Sequence, residues 1–255
     1  MSKRATDTEQ FLLDLMVQPD IENAWSKLKD RMAGYGFDRV LYAATRFRTD
    51  HTTGDLRDAF ILTNYPKEFT DPYLEGGLFR DAPMVRWAMQ NVGTLSWGEI
   101  ARDASEGRLP PEVMRVVEFN RKHGIVAGYG ISFPRHSVRA GHGIGLGSTT
   151  MTQAEADAIW ASSGNEIELI CHVTHLTFLS LPYGLHGRNL TNRQREVLEL
   201  IADGKTVQDI AVLLKKSPAT IEKHLRLARK ELNVETTAQA ILKISIQNQF
   251  FMYDP

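Results

Sequence analysis

The last quarter of the chain places helix starts and stops at intervals that dictate a bundle of short helices. Thr191 can cap a helix whose apolar stripe is Val197, Leu198, Leu200 and Ile201, and Gly204 ends it. Thr206 opens a second helix with Val207, Ile210, Ala211, Leu213 and Leu214 on its apolar positions. Ser217-Pro218 then supplies a cap followed by proline at the first helical position, so a third helix starts at Pro218. Its inner face is Ile221, Leu225, Ala228 and Leu232; its outer face carries Glu222, Lys223, Arg226, Arg229 and Lys230. A last helix from about Thr237 to Phe250 offers Ala240, Ile241, Ile244 and Ile246, either for a subunit contact or to complete a four-helix bundle. A short helix, a tight turn and a second amphipathic helix with a basic outer face are what docking in the DNA major groove requires.

Charge agrees. The whole chain of 255 residues has a formal net charge of −1, which conceals an asymmetry. From Arg188 onward there are 11 basic and 8 acidic residues, an excess of +3, against −4 for the rest. A modestly basic tail module on an acidic body fits a phosphate-binding partner.

The run from Leu190 to Ala211, followed by Ser217 to Leu225, resembles the LuxR/FixJ-type helix-turn-helix, with Leu198 and Gly204 on family hallmark positions. Gln194 stands where that family usually has glutamate, a local change at the first helix cap. The resemblance implies that Glu222, Lys223 and Arg226 face the groove, with Lys205, Thr206 and Thr220 near phosphates. The chemistry suits those roles: arginine pairs with guanine O6 and N7, glutamate accepts from cytosine N4, and lysine or hydroxyl groups meet phosphate. His224 is a further phosphate candidate or a surface residue. Because one recognition helix covers a half-site, a homodimer on a two-fold operator of double-stranded DNA is expected.

The longer N-terminal part reads as helices around an antiparallel sheet. Apolar spacing from Glu9 to Met32, interrupted near Pro19, predicts two opening helices. Val40 to Phe47 and Ala59 to Thr63 predict strands flanking the polar loop Thr49 to Gly54. Short helical stretches follow Tyr65-Pro66, then a helix from Pro110 to Lys122, strands at Gly128 to Pro134 and Gly141 to Gly147, and a long helix from about Thr152 to Leu181. The expected class is α+β: an α/β/α sandwich with an antiparallel sheet over 1–181, a linker at 182–189, and a helix-turn-helix domain of four helices over 190–255.

A phosphorylated receiver domain needs an acidic cluster after its first strand, and none is found. Instead Asn64 to Tyr73, then Phe79 to Trp87 and Leu95-Ser-Trp97, resemble the autoinducer-binding domain of LuxR-type quorum-sensing receptors. That resemblance implies a cavity between the sheet and one helix layer, taking an N-acyl-homoserine lactone or a different small apolar signal through a few polar groups. It implies Tyr65 and Tyr73 as pocket tyrosines and Trp97 as the aromatic wall near the lactone. Phe69 stands where a tryptophan usually donates its indole N–H to the lactone carbonyl, and phenylalanine cannot donate. Asp81 falls one residue before the position of the family's amide-accepting aspartate, which Ala82 holds, so either a one-residue bulge or helix offset returns Asp81 to the cavity or the site has lost that contact. Gly130, or alternatively Gly128, matches the family glycine after the Pro110 helix. With Phe69 and a displaced Asp81, an ordinary acyl-homoserine lactone is expected to bind at best at micromolar concentration unless water or Tyr73 compensates.

No catalytic constellation is found: Gly143-Ile-Gly-Leu-Gly reads as small residues in a strand, so no enzyme activity and no cofactor are expected. His172 and His175 share a helix face without a third ligand, which favours packing over metal binding. Cys171, the single cysteine, lies in an apolar run and reads as a buried inert thiol. The start MSKRATDTEQ lacks a signal-like apolar run and no stretch is long enough to span a bilayer, so a cytoplasmic location away from membrane is expected. A second reading remains: an orphan DNA-binding regulator whose N-terminal domain serves dimerisation or a protein partner.

Overall fold

The computed structural model describes residues 3–46, 54, 56–135, 137–183 and 190–250. The chain divides into two compact units, Met1–Leu179 and Ser180–Pro255. Most of the loop expected at Thr49 to Gly54, and positions 184–189 of the expected linker, lie outside the described residues.

In the first unit, helices α1 (Lys3–Met16) and α2 (Ile21–Gly34) precede strands β1 (Arg39–Thr45) and β2 (Phe60–Thr63). Asp20 caps α2 by accepting from the Asn23 N–H at 2.8 Å, which fixes the break after Pro19. Helices α3 (Lys67–Thr70), α4 (Pro83–Gln90), α5 (Trp97–Ser105) and α6 (Pro111–Lys122) form the middle of the unit, with β3 (Gly93–Ser96) between α4 and α5. Strands β4 (Ala127–Ser132) and β5 (Gly141–Ser148) and the 28-residue helix α7 (Gln153–Ser180) complete it. The sheet order is β2-β1-β5-β4-β3 with every neighbouring pair antiparallel. The sequence predicts four of these strands and misses β3, which is only four residues long and nowhere fully buried.

Alternation along the strands separates two faces. Tyr42, Ile144, Leu146, Tyr129 and Ile131 are buried on the side covered by α7: Tyr129 stacks on Trp160 at 4.0 Å, and Tyr42 meets Phe178 at 5.0 Å. Polar groups on this side are satisfied within the layer. Asp157 accepts from Ser96 at 2.9 Å and from Tyr129 at 2.5 Å, which holds α7 against β3 and β4. His175 is buried here: its Nδ1 lies 2.9 Å from the Tyr42 hydroxyl and its ring stacks on Phe133 at 4.2 Å. His172 meets the same phenylalanine edge-on, so both histidines pack against aromatic rings, and no metal-binding cluster is found among the described residues. Cys171 is buried beside them, and burial raises its thiol pKa.

The buried histidines make folding sensitive to acid. Burial lowers His142 to about 4, helped by Arg46, and lowers His175 to about 3, helped by His142, His172 and Arg46. In the unfolded chain both protonate near the ordinary value of about 6.5. Below that pH the unfolded state therefore holds more protons than the folded one, and stability falls as pH drops from about 6.5 towards 4. For His175 alone the loss between pH 6.5 and 5 is up to about 2 kcal/mol. Urea midpoints at pH 7 and pH 5 should differ accordingly, and less in a His142→Leu/His175→Phe variant. Equal midpoints for the parent protein would contradict this.

The second unit is a bundle of α8 (Asn192–Ala202), α9 (Val207–Leu213), α10 (Pro218–Leu232) and α11 (Thr237–Ile246). Its core is built from Val197, Leu198, Ile210, Ile221, Leu225, Ala228, Leu232, Ala240 and Ile244. Thr191 and Gln194 form a capping box, so glutamine serves the cap where the family has glutamate. One detail differs from the sequence reading, and one alternative that it leaves open is decided. Leu213 is 56% exposed rather than inward, because α9 stops there. Ala240 and Ile244 are fully buried within the bundle, so they complete it and are not available to a subunit contact. Lys243 is also buried: its Nζ donates to the Leu232 carbonyl at 2.9 Å, a cation at the C-terminal end of α10.

Candidate functional site

The face of the sheet opposite α7 has almost no side chains in its middle. Leu41, Ala43 and Thr45 of β1 stand opposite Gly145, Gly143 and Gly141 of β5, while Gly145 and Gly147 stand opposite Gly130 and Gly128 of β4. Directly opposed residues point to the same side, so six glycines share this face. Over the bare backbone lies a cavity of about 620 Å³, roofed by residues of α3 to α6. A Cβ added at Gly145 would meet nothing closer than the Leu41 carbonyl at 4.0 Å, so the space above it is open. At Gly147 an added Cβ would lie 2.6 Å from the Tyr65 hydroxyl, and at Gly128 it would lie 3.1 Å from the Trp97 ring. Those glycines let the two aromatic side chains approach the sheet. At Gly130 the Cβ would come 2.1 Å from Met84 Cε, so this cavity glycine admits the α4 methionine.

Tyr65, Phe69, Tyr73 and Trp97 all line the cavity. Phe69 is buried at the centre of an aromatic cluster, 4.4 Å from Tyr65, 5.1 Å from Tyr73 and 5.0 Å from Phe119. Burial raises the phenol pKa of Tyr65 and Tyr73, so both stay protonated hydroxyl donors. Trp97 opens α5 directly after Ser96, whose hydroxyl accepts from Gly98 N–H at 3.0 Å and caps the helix.

Asp81 is not brought to the cavity. It ends the short helical turn Leu78–Asp81 and accepts from Arg86 Nη2 at 2.8 Å, while the next residue, Ala82, is buried and lines the cavity. Pro83 begins α4 at once, so no bulge intervenes to rotate Asp81 inward. Sequence reasoning missed Asn120 of α6 and Met84 of α4, which also line the cavity. Asn120 lies next to Phe119 of the aromatic cluster, one position beyond the apolar stripe that marked the helix.

In the second unit Glu222, Lys223 and Arg226 are exposed on one face of α10. Lys205 is exposed before α9, and Lys215 and Lys216 are exposed in the turn between α9 and α10. The two turn lysines were not singled out from the sequence; their place between two capped helices on the basic side is the signal that would have found them. Thr206 and Thr220 are engaged in caps. Thr206 Oγ1 donates to Asp209 at 2.7 Å, which lowers the pKa of that carboxyl, and the Thr220 hydroxyl lies 2.9 Å from Ser217 Oγ. His224 is half-buried.

Comparison with known proteins agrees with both units. The family model "Autoinducer binding domain" matches residues 20–178, and "Bacterial regulatory proteins, luxR family" matches residues 188–244. The chain is 26% identical over 188 residues to the transcriptional activator protein LuxR of Aliivibrio fischeri, covering 73% of each. It is 25% identical over 220 residues to the HTH-type quorum sensing-dependent transcriptional regulator RpaR of Rhodopseudomonas palustris, covering 86% of this chain and 84% of that one. The fold is that of Escherichia coli SdiA, with a TM-score of 0.55 and 16% identity over 98% of this chain and 100% of the other. A structure of SdiA in complex with octanoyl-rac-glycerol matches with a TM-score of 0.53 at 16% identity, over 97% and 96% of the two chains. With an autoinducer-binding domain followed by a LuxR-family DNA-binding domain, this chain belongs to the LuxR-type quorum-sensing transcriptional regulators.

Proposed function

We propose that the first unit holds a small, neutral, mostly apolar signal in the cavity above the glycine face, and that the second unit reads an operator with α10. The observation that carries this reading is a cavity of about 620 Å³ lined by apolar and aromatic groups in the domain that the family uses for its signal. An acylated molecule fits that lining: its chain lies over bare backbone and its polar head meets Tyr65, Tyr73 and Trp97. Phe69 contributes apolar surface only. SdiA, of the same fold, has been crystallised with octanoyl-rac-glycerol, so the acyl class is probed with both lactone and glycerol heads.

On the DNA side, Arg226, Lys223 and Glu222 are assigned to the groove, with Lys205, Thr206 and Thr220 beside phosphates. Both threonines use hydroxyl and backbone N–H alike in their caps, Thr206 with Asp209 and Thr220 with Ser217, so a phosphate beside them shares those donors and Lys205 brings the charge. The DNA-binding domain is assigned to 190–255 and the connection to 182–189, with Tyr183 already tied to the second unit by the bond from its N–H to the Gln247 carbonyl at 3.1 Å. The protein acts by binding rather than catalysis, as a homodimer in the cytoplasm. No described helix is long and apolar enough to cross a membrane.

Thermal unfolding with a panel of acyl-homoserine lactones and octanoyl glycerol tests the reading. A ligand at 100 times its Kd stabilises by about 2.7 kcal/mol, which raises Tm by roughly 5–10 °C for a chain of this size. No shift with any member at 100 micromolar would favour the orphan regulator instead.

A further inference from the structure

Four polar atoms on cavity-lining residues are buried without a hydrogen-bond partner; the two ring nitrogens of His142 belong to the sheet face covered by α7, where the ring lies 4.9 Å from His175, which leaves the indole nitrogen of Trp97 and Oδ1 of Asn120 for the cavity side. The indole nitrogen can only donate and Oδ1 can only accept. A buried donor or acceptor left unpaired forfeits its hydration, so such groups take a partner from the protein, from an ordered water or from a ligand.

The two residues belong to one end of the cavity. The position a Gly147 Cβ would occupy lies 3.3 Å from the Trp97 ring and 3.3 Å from Ile125 Cγ2. The Ile125 N–H in turn donates to the Asn120 carbonyl at 2.9 Å, which brings the end of α6 beside the start of α5. Elsewhere in the lining, Phe69 has no polar side-chain atom, and Asp81 lies outside it, paired to Arg86. Arg121 is the single charged side chain in the described lining, and it is exposed.

We propose that Trp97 and Asn120 together read the polar head of the signal. The indole N–H donates to a ligand carbonyl oxygen, and Asn120 Oδ1 accepts from a ligand amide N–H. The ligand class is a neutral N-acylated molecule with a second carbonyl, and the assignment rests on the cavity being the signal site. Both bonds are neutral, and a neutral acceptor binds an N–H about half as strongly as a carboxylate does. Micromolar affinity for a simple acyl lactone therefore still follows.

Calorimetric titration with two probes tests the pair: N-octanoyl-homoserine lactone, and the ester isostere in which oxygen replaces the amide N–H. The full-length protein should prefer the amide by roughly 3- to 10-fold, the range for one neutral hydrogen bond. Asn120→Leu should remove that preference by weakening the amide alone. Trp97→Phe should weaken both probes by a similar factor, and Asp81→Ala should change neither. Equal affinity of the parent protein for the two probes overturns the assignment of Asn120, and this comparison does not depend on how any variant folds. An amide preference that survives Asn120→Leu, or a loss caused by Asp81→Ala, overturns it too, while leaving the cavity as the signal site. If the parent protein binds neither probe, the reading of the cavity falls and the assignment falls with it.

Discussion

Gly145→Phe should abolish signal binding, by more than about 100-fold, while leaving the fold intact. The reason is the open space above β5: an added Cβ meets only the Leu41 carbonyl at 4.0 Å, and the rest of a phenyl ring enters the cavity. Filling apolar space with an apolar ring commonly stabilises, so the Tm of the ligand-free variant should equal or exceed that of the parent. Gly128→Ala provides the contrast. Its Cβ would lie 2.2 Å from the Leu146 carbonyl oxygen, a backbone atom that cannot step aside, so this smaller change should lower stability by about 1–3 kcal/mol. Chemical denaturation and ligand titration of the two variants separate the outcomes. A Gly145→Phe protein that still binds signal would move the site away from the glycine face.

The second large effect concerns DNA. Arg226→Ala should cost about 1–3 kcal/mol of specific operator affinity, up to roughly 100-fold, and relax discrimination at one base pair. Arg226 is exposed on α10, whose inward residues Ile221, Leu225 and Ala228 are buried, so truncating it should not disturb the bundle. Lys205→Ala, at an exposed position assigned to phosphate, should weaken specific and non-specific DNA alike and reduce the salt slope by about 1. Binding titrations at several salt concentrations distinguish the two. Unchanged operator affinity in a folded Arg226→Ala protein would take that residue out of the interface.

The C-terminal unit was legible in the sequence because its signals are local. Each helix there opens on a Thr or Ser that accepts from the N–H three residues on, and the chain after α8 turns through Gly204 at φ +83°. What the pattern could not decide was the outer edge of the bundle. Leu213 has an apolar spacing yet ends outside, and Lys243 has a polar side chain yet ends inside, because the end of α10 supplies a carbonyl for it. Burial of Ala240 and Ile244 likewise depends on α11 packing against α8 and α10, which periodicity alone leaves open.

In the N-terminal unit the sheet was legible except for β3, whose four residues are all half-buried and so lack a sharp alternation. The cavity was harder to see for a physical reason: it is made by what the side chains lack. Glycines at alternate positions of β4 and β5 read in the sequence only as small residues in strands, and the pairing register is what puts them on one face. Asp81 shows the converse limit. One residue of offset before Pro83 turns a carboxylate from the cavity to Arg86, and the motif alone could not tell which way it turned. The paired roles of Trp97 and Asn120 needed hydrogen-bond accounting, since neither residue is unusual where it stands in its helix.

Mass spectrometry of small molecules extracted from the full-length protein, purified from its native cells in parallel with Gly145→Phe, tests the central claim most directly. A neutral acylated molecule should be recovered from the parent protein, near one per chain, and be missing from the variant. Recovery of no such molecule from the parent, or of the same molecule equally from both, would contradict a signal held above the glycine face.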